Sequence, residues 1–224
     1  MKKAYSFLFL CISTLFIVCL LLSNITAGKL IQVFGMVLPA AVVIFPLTYI
    51  LGDVFTEVYG FRTARRVIWL GFACNLVAVA VFAIALHLPY PAYWQDQGAY
   101  AAVFRSGPRI LLASLAGYLF GEFFNSVVLS RLKVLTKGKW LWVRSIGSSV
   151  VGEGFDTVLF IMIAFWGVYP ADVIWQMILF QFLWKMCYEI LLTPLTYLAV
   201  RRIKRAENVD AYDEGEKYNP FSIK

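Results

Sequence analysis

From Ala4 to Ala27 the chain contains no charged residue. That run exceeds the roughly 20 apolar residues a helix needs to cross a bilayer core of about 30 Å. Five similar stretches follow, so lipid is the solvent for most of the chain. In lipid every backbone N–H and C=O must be paired within the protein, which makes helices the expected structure. Composition agrees: 61% of residues are hydrophobic, mean hydropathy is +0.76 and 15% are charged. Soluble domains carry about 25% charged residues.

The segments expected to span are about 4–27, 36–58, 64–88, 108–130, 143–168 and 172–200. The expected fold is therefore an all-α membrane protein with six transmembrane helices. Basic residues collect on one side. Lys2 and Lys3 precede the first span, and Arg62, Arg65 and Arg66 follow the second. Arg131, Lys133, Lys137, Lys139 and Arg144 lie between the fourth and fifth, and Arg201, Arg202, Lys204 and Arg205 follow the sixth. The other side holds Lys29, Arg105 and Arg109. Basic residues favour the cytoplasm, so both termini are expected inside. The net charge of +7 is then topology and attraction to anionic membrane lipids, not nucleic-acid binding. Residues 1–203 are expected to form the transmembrane domain and 204–224 a polar cytoplasmic tail with Glu207, Asp210, Asp213, Glu214 and Glu216. The connection 89–107, rich in Pro, Tyr and Trp, is expected outside as an aromatic belt or lid. Cys11, Cys19, Cys74 and Cys187 fall in apolar segments and read as packing residues without disulfide or metal spacing.

Ionisable groups inside the spans carry the functional signal, because each costs several kcal/mol unless it faces a cavity or a partner. The set is Asp53, Glu57, Glu122, Glu153, Asp156, Lys185 and Glu189, with Asn24, Asn125 and Gln181 as neutral polar companions. Each helix presents its members on one face. Asp53 and Glu57 are four apart, as are Gln181, Lys185 and Glu189 in succession. Glu122 and Asn125, and Glu153 and Asp156, are three apart. Aromatic neighbours Phe124, Phe155, Trp184 and Tyr188 lie beside these stripes. A structural use stands beside the functional one: Lys185 paired with Glu189 or Asp156, Glu57 with Arg62 or Arg65. Six carboxylates against one lysine cannot all be ion pairs, so some are protonated, hydrated or ligand-binding.

Three segments share the form Gly-acid-x-Phe-polar, at Gly52–Thr56, Gly121–Asn125 and Gly152–Asp156. Two of them fall in the middle helices of two three-helix halves, which fits an inverted repeat around a central site. They also fit close-packed small-residue helix contacts. Hydrolase, zinc-protease and Walker motifs are absent from the sequence, no cofactor or metal is expected, and the chain cannot pump with ATP alone. His87 reads as an interfacial residue.

The run Phe45-Pro46-Leu47-Thr48-Tyr49-Ile50-Leu51-Gly52-Asp53-Val54-Phe55-Thr56-Glu57-Val58-Tyr59-Gly60, then Ala64-Arg65-Arg66, resembles the signature of the bacterial vitamin uptake transporters, a family associated with queuosine-precursor transport. The resemblance continues through Arg109, Gly121–Ser126, Arg144, Ser148-Ser149, Asp156, Lys185, Glu189 and Pro194. It implies a multi-pass inner-membrane importer of 7-cyano- or 7-aminomethyl-7-deazaguanine that is not an enzyme. It carries Asp53, Glu57, Asn125, Asp156 and Lys185 over as site residues. The chemistry is compatible: a carboxylate accepts from the N1–H and NH₂ edge of a guanine-like base, and a lysine or amide serves O6. The small-molecule partner is thus a deazapurine base, and the oligomeric state is open, a homodimer included. Two alternatives remain open. One is the substrate-binding membrane subunit of an ATP-driven vitamin importer, contacting its ATPase through the basic loop 131–144. The other is an intramembrane metal-dependent lipid enzyme using the Asp53–Glu57 pair.

Overall fold

The computed structural model describes residues 6–105 and 107–213. Lys2, Lys3, Glu214 and Glu216, which enter the topology and tail expectations, lie outside the described residues. The chain forms helix α1 (Phe7–Thr26), strands β1 (Leu30–Val33) and β2 (Met36–Pro39), a 3-10 turn (Ala40–Val43), and α2 (Phe45–Val54) with a π-helical turn (Phe55–Tyr59). It continues with α3 (Phe61–His87), α4 (Gln97–Arg105), α5 (Gly107–Leu135), α6 (Leu141–Phe165) and α7 (Ala171–Glu207). Among the described residues five helices, α1, α3, α5, α6 and α7, are long and apolar enough to cross a membrane. The protein is an all-α membrane protein whose described residues include one short β-hairpin.

The segment 36–58 is not the single continuous helix expected for the second span. Its first residues belong to an antiparallel hairpin in which Val33 pairs with Met36 and Leu30 with Pro39. The two-residue turn, Phe34 and Gly35, has φ of 51° and 82°, the positive pair that matches strand twist. Ile44 then interrupts the helical path, and Pro46 sits in the first turn of α2, where its missing N–H costs nothing. The π-helical turn after α2 ends at Gly60, whose φ of 83° lets α3 start at once. A side chain there would also meet Asp213 Oδ1 at 2.9 Å. The connection 89–107 likewise holds a helix, α4, whose Phe104 stacks on Phe82 of α3 at 4.4 Å.

Lipid gives helices no hydrophobic reason to associate, so close approach and polar contacts must do so. The Gly-acid-x-Phe-polar segments supply that approach. A Cβ on Gly121 would lie 2.8 Å from the Gly152 carbonyl, and one on Gly152 2.7 Å from the Gly121 carbonyl. Helices α5 and α6 therefore cross almost backbone to backbone. Gly52 of α2 lies against the Glu122 carboxylate in the same way. Phe16, Phe55, Phe61, Ile68 and Tyr118 form an apolar cluster joining α1, the π-helical turn, α3 and α5. The outward faces of α1 and α3 (Leu10, Leu15, Val77, Val81, Ile84) are exposed and apolar, as lipid contact requires. Ser6 caps α1 and donates to Glu207 at 2.6 Å, so the two ends of the described chain meet at one end of the bundle.

Candidate functional site

A cavity lies between α1, the 3-10 turn, α2, α5, α6 and α7. Its polar wall is Asp156, Gln181, Lys185 and Ser114, and its apolar wall includes Phe45 and Phe160. Lys185, 1% exposed, donates to Asp156 Oδ2 and sits 4.5 Å from the centre of the Phe45 ring. The Gln181 Oε1 has no hydrogen-bond partner among the described residues. Asn24 stands behind the wall, bonded to Asn75 and to the Ser114 hydroxyl, so it fixes Ser114 and does not line the cavity. Helix α5 can hold Asp156 because it offers glycine there: a Cβ on Gly117 would lie 2.7 Å from Asp156 Oδ1. The cavity volume is about 20 Å³, enough for water-sized occupants. A fused-ring base can enter only if the walls separate. The 3-10 turn covers the pocket on the hairpin side, where Trp184 donates its indole N–H to the Val42 carbonyl at 3.3 Å.

A second buried cluster lies deeper along α7. Asp53 of α2 accepts from Asn125 Nδ2 at 2.8 Å and from Ser145 Oγ. The same Ser145 oxygen is 2.8 Å from Glu189 Oε1. Glu122 and Glu153 are fully buried, and neither oxygen of either carboxyl has a hydrogen-bond partner among the described residues.

Glu57 belongs to a third group, at the end of the bundle where Ser6 meets Glu207. The expected pairing with Arg62 or Arg65 near water is not what forms: Glu57 is 1% exposed and engages Arg144 and Lys204 instead. Lys133 lies 3.7 Å from it. Glu57 lies one turn beyond Asp53 on the same inward side, where Lys133 of α5, Arg144 of α6 and Lys204 of α7 converge on it. Lys133 and Arg144, which the sequence places at the edges of a basic loop, are buried. The chain after α7 closes over this cluster. Lys133 donates to Asp210 and to the Ala211 carbonyl, both at 2.6 Å, and lies 4.6 Å from the Tyr212 ring centre. Asp213 accepts from the Phe61 amide at 2.9 Å and from Ser130 at 2.5 Å. Burial pushes the Asp210 carboxyl up, but the hydrogen bonds and charges of Lys133 and Lys204 outweigh it and hold it below 3.8.

The ten polar candidates thus separate into three places. Asp156, Lys185 and Gln181 line the cavity, with Asn24 behind it. Asp53, Asn125, Glu122, Glu153 and Glu189 form the deeper acidic region, and Glu57 joins the cationic cluster. The aromatic slot differs from expectation. Phe124 and Phe155 stack on each other at 4.7 Å, and both are over 40% exposed, away from the cavity. One residue along a helix is a rotation of about 100°, which carries their faces away from those of Asn125 and Asp156. The aromatic rings that do line the cavity are Phe45 and Phe160, together with the hydroxyl of Ser114. Phe160 has a sequence signal, since it lies four residues beyond Asp156 on the same face of α6. Ser114 and Ser145 carry none beyond being small and polar.

The residues 39–199 match the family model described as "Putative vitamin uptake transporter". The chain is 30% identical over 186 residues to the "Probable queuosine precursor transporter" of Bacillus subtilis (strain 168), covering 83% of this chain and 81% of that one. It is 31% identical over 122 residues to the "Queuosine precursor transporter" of Escherichia coli (strain K12), covering 54% of this chain and 52% of that one. A third relative, the "Probable queuosine precursor transporter" of Haemophilus influenzae (strain ATCC 51907 / DSM 11121 / KW20 / Rd), is 27% identical over 123 residues, covering 54% of this chain and 49% of that one. No solved structure matches. The chain belongs to the vitamin uptake transporter family, multi-pass bacterial inner-membrane transporters and not enzymes.

Proposed function

We propose that this protein imports a queuosine precursor, 7-cyano- or 7-aminomethyl-7-deazaguanine, by alternating access. The observation that carries the proposal is the buried Asp156–Lys185 pair beside Gln181 in an aromatic-walled cavity. The names of the relatives, queuosine precursor transporters, support the substrate class. In this scheme the Asp156 carboxylate accepts from the N1–H and NH₂ edge of the base. Lys185 and Gln181 serve the O6 side, and Phe45 and Phe160 cover the ring faces. The base replaces Lys185 as the hydrogen-bond partner of Asp156, so a buried charge is never left alone, which would cost about 3–5 kcal/mol.

The segment 40–59 completes a sixth crossing in this account, with the end bearing Ser6, Glu57 and Glu207 in the cytoplasm. The basic asymmetry of the loops supports that orientation. Segments 1–203 and 204–224 then act as transport domain and cytoplasmic tail, and the paired Gly121 and Gly152 contacts are compatible with two three-helix halves. Uptake of labelled deazaguanine into cells lacking its synthesis tests the proposal. Accumulation that depends on this protein and fails in Asp156→Ala supports it; no protein-dependent uptake refutes it.

A further inference from the structure

The deeper acidic cluster has a hydrogen-bond problem of its own. Asp53, Ser145 and Glu189 are each at most 1% exposed, and Ser145 Oγ touches both carboxyls. A hydroxyl has one hydrogen to give. With both carboxyls ionised, one of them faces the serine lone pairs with nothing between. Ser149 can give a hydrogen to the other Glu189 oxygen, but the contacts at Ser145 stay one hydrogen short. From α5 come Glu122 and Asn125, and from α6 Glu153 and Ser149. The next acid along the chain from α2 is Glu57. The cations nearby are engaged: Lys185 of α7 holds Asp156, and Arg144 of α6 holds Glu57. One added proton resolves the cluster. Glu189 O–H then donates to Ser145, Ser145 donates to Asp53, and Asn125 donates to the other Asp53 oxygen.

We propose that Asp53, Ser145 and Glu189 form the proton-binding site of a proton-coupled transport cycle, with Ser145 as the relay. In the transfer step the Glu189 O–H bond breaks as a new O–H bond forms on Ser145, whose own hydrogen passes to Asp53. The proton moves from α7 to α2, the serine ends as a hydroxyl again, and Glu189 is left ionised. The site lies close enough to the cavity to communicate with it. Lys185 and Glu189 share one face of α7, about 6 Å apart along the axis, and Lys185 is the residue the base must displace from Asp156. A Lys185 ammonium engaged with the O6 of the bound base offers Glu189 no counter-charge, so the base-bound site keeps its proton and base and proton occupancy are linked through one lysine. This inference rests on the import reading above for its transport consequence, but the proton site itself does not.

Two measurements test it. In vesicles holding the purified protein, with the membrane potential clamped, an inside-alkaline gradient of one pH unit should raise accumulation of the neutral cyano base about tenfold for one proton per base. In Glu189→Gln and in Asp53→Asn that ratio should fall to about one. Gradient-independent accumulation by the wild type, or an undiminished ratio in both variants, overturns the proposal. Wild-type vesicles that take up no base at all refute the import reading instead, and infrared spectroscopy then decides the proton site. The wild type at neutral pH should show a protonated-carboxyl C=O band that Glu189→Gln with Asp53→Asn reduces. In Glu189→Gln the new side-chain amide can donate to Ser145 as the acid did, so the fold is kept. An unchanged band overturns the proposal whatever the uptake result.

Discussion

Replacing Gly121 by alanine tests how far the site depends on the α5–α6 crossing. The new methyl would press on the Tyr49 hydroxyl of α2 and lie 2.7 Å from Asp156 Cβ and 2.8 Å from the Gly152 carbonyl oxygen, where ordinary contact begins at 3.4 Å. Helix α6 must therefore retreat by about 0.7 Å, taking Asp156 with it. Overpacking of this kind costs about 1–3 kcal/mol, and alanine returns about 0.5–1 kcal/mol of helix propensity. The net loss lies between about 0 and 2.5 kcal/mol, centred near about 1 kcal/mol, which is a fall of roughly 2–4 °C in melting temperature for a chain of this size. Gly154→Ala, on α6, is the control. Its Cβ would meet only Phe182 Cε2, at 3.8 Å. That variant should melt at or slightly above the wild type. The assay is thermal unfolding in detergent followed by tryptophan fluorescence, with base affinity measured on the same samples. Gly121→Ala should lose affinity and Gly154→Ala should not. Equal melting temperatures and equal affinities for the two variants would refute the close-crossing account.

Other outcomes follow from the same geometry. Lys185→Met alone should destabilise the protein by about 3–5 kcal/mol by stranding Asp156, and adding Asp156→Asn should recover most of that without recovering uptake; recovered uptake would make the pair merely structural. Asp210 has its carboxyl held below its ordinary value, so its contribution to the closed tail is complete above pH 3.8 and disappears as pH falls through the lower folded value. Hydrogen exchange at the Ala211 amide, which bonds to the Val58 carbonyl at 3.1 Å, should therefore stay protected at pH 5 and accelerate in Asp210→Asn at the same pH. A cysteine at Gln97 should react with an impermeant reagent from outside intact cells and one at Lys137 should not; the reverse would invert the topology.

Much of this fold is legible in the residues, for definite reasons. Long apolar runs correspond to α1, α3, α5, α6 and α7 because lipid leaves the backbone few other options. The second crossing is less legible because hydropathy alone does not distinguish the hairpin Leu30–Pro39 from the start of a helix. The signal that does so is the glycine of Phe34-Gly35 between two short, mostly apolar runs that close on Pro39. The Lys185–Asp156 pair is one of two pairings the spacing allows. Choosing between Asp156 and Glu189 needs the angle at which α6 and α7 pack, which no single helix encodes. Phe124 and Phe155 mislead for a related reason: adjacency in sequence to Asn125 and Asp156 rotates a side chain about 100° away on a helix. The partners of Glu57 come from α5, α6 and α7, so identifying them needs the packing of three helices around one carboxylate.

The central claim is that Asp156 reads the donor edge of the base, and binding of two bases to two proteins tests it most directly. A carboxylate accepts both hydrogens of that edge, whereas asparagine offers one acceptor and a mismatched donor. A buried mismatch costs about 1–3 kcal/mol, roughly a ten- to hundredfold loss. Purified Asp156→Asn should therefore bind 7-cyano-7-deazaguanine roughly ten- to a hundredfold more weakly than the wild type. An analogue lacking the exocyclic NH₂ should bind the wild type poorly and lose little further on mutation. Equal losses for the two bases, or undiminished binding of the cyano base to Asp156→Asn, would remove Asp156 from the recognition edge and contradict the account.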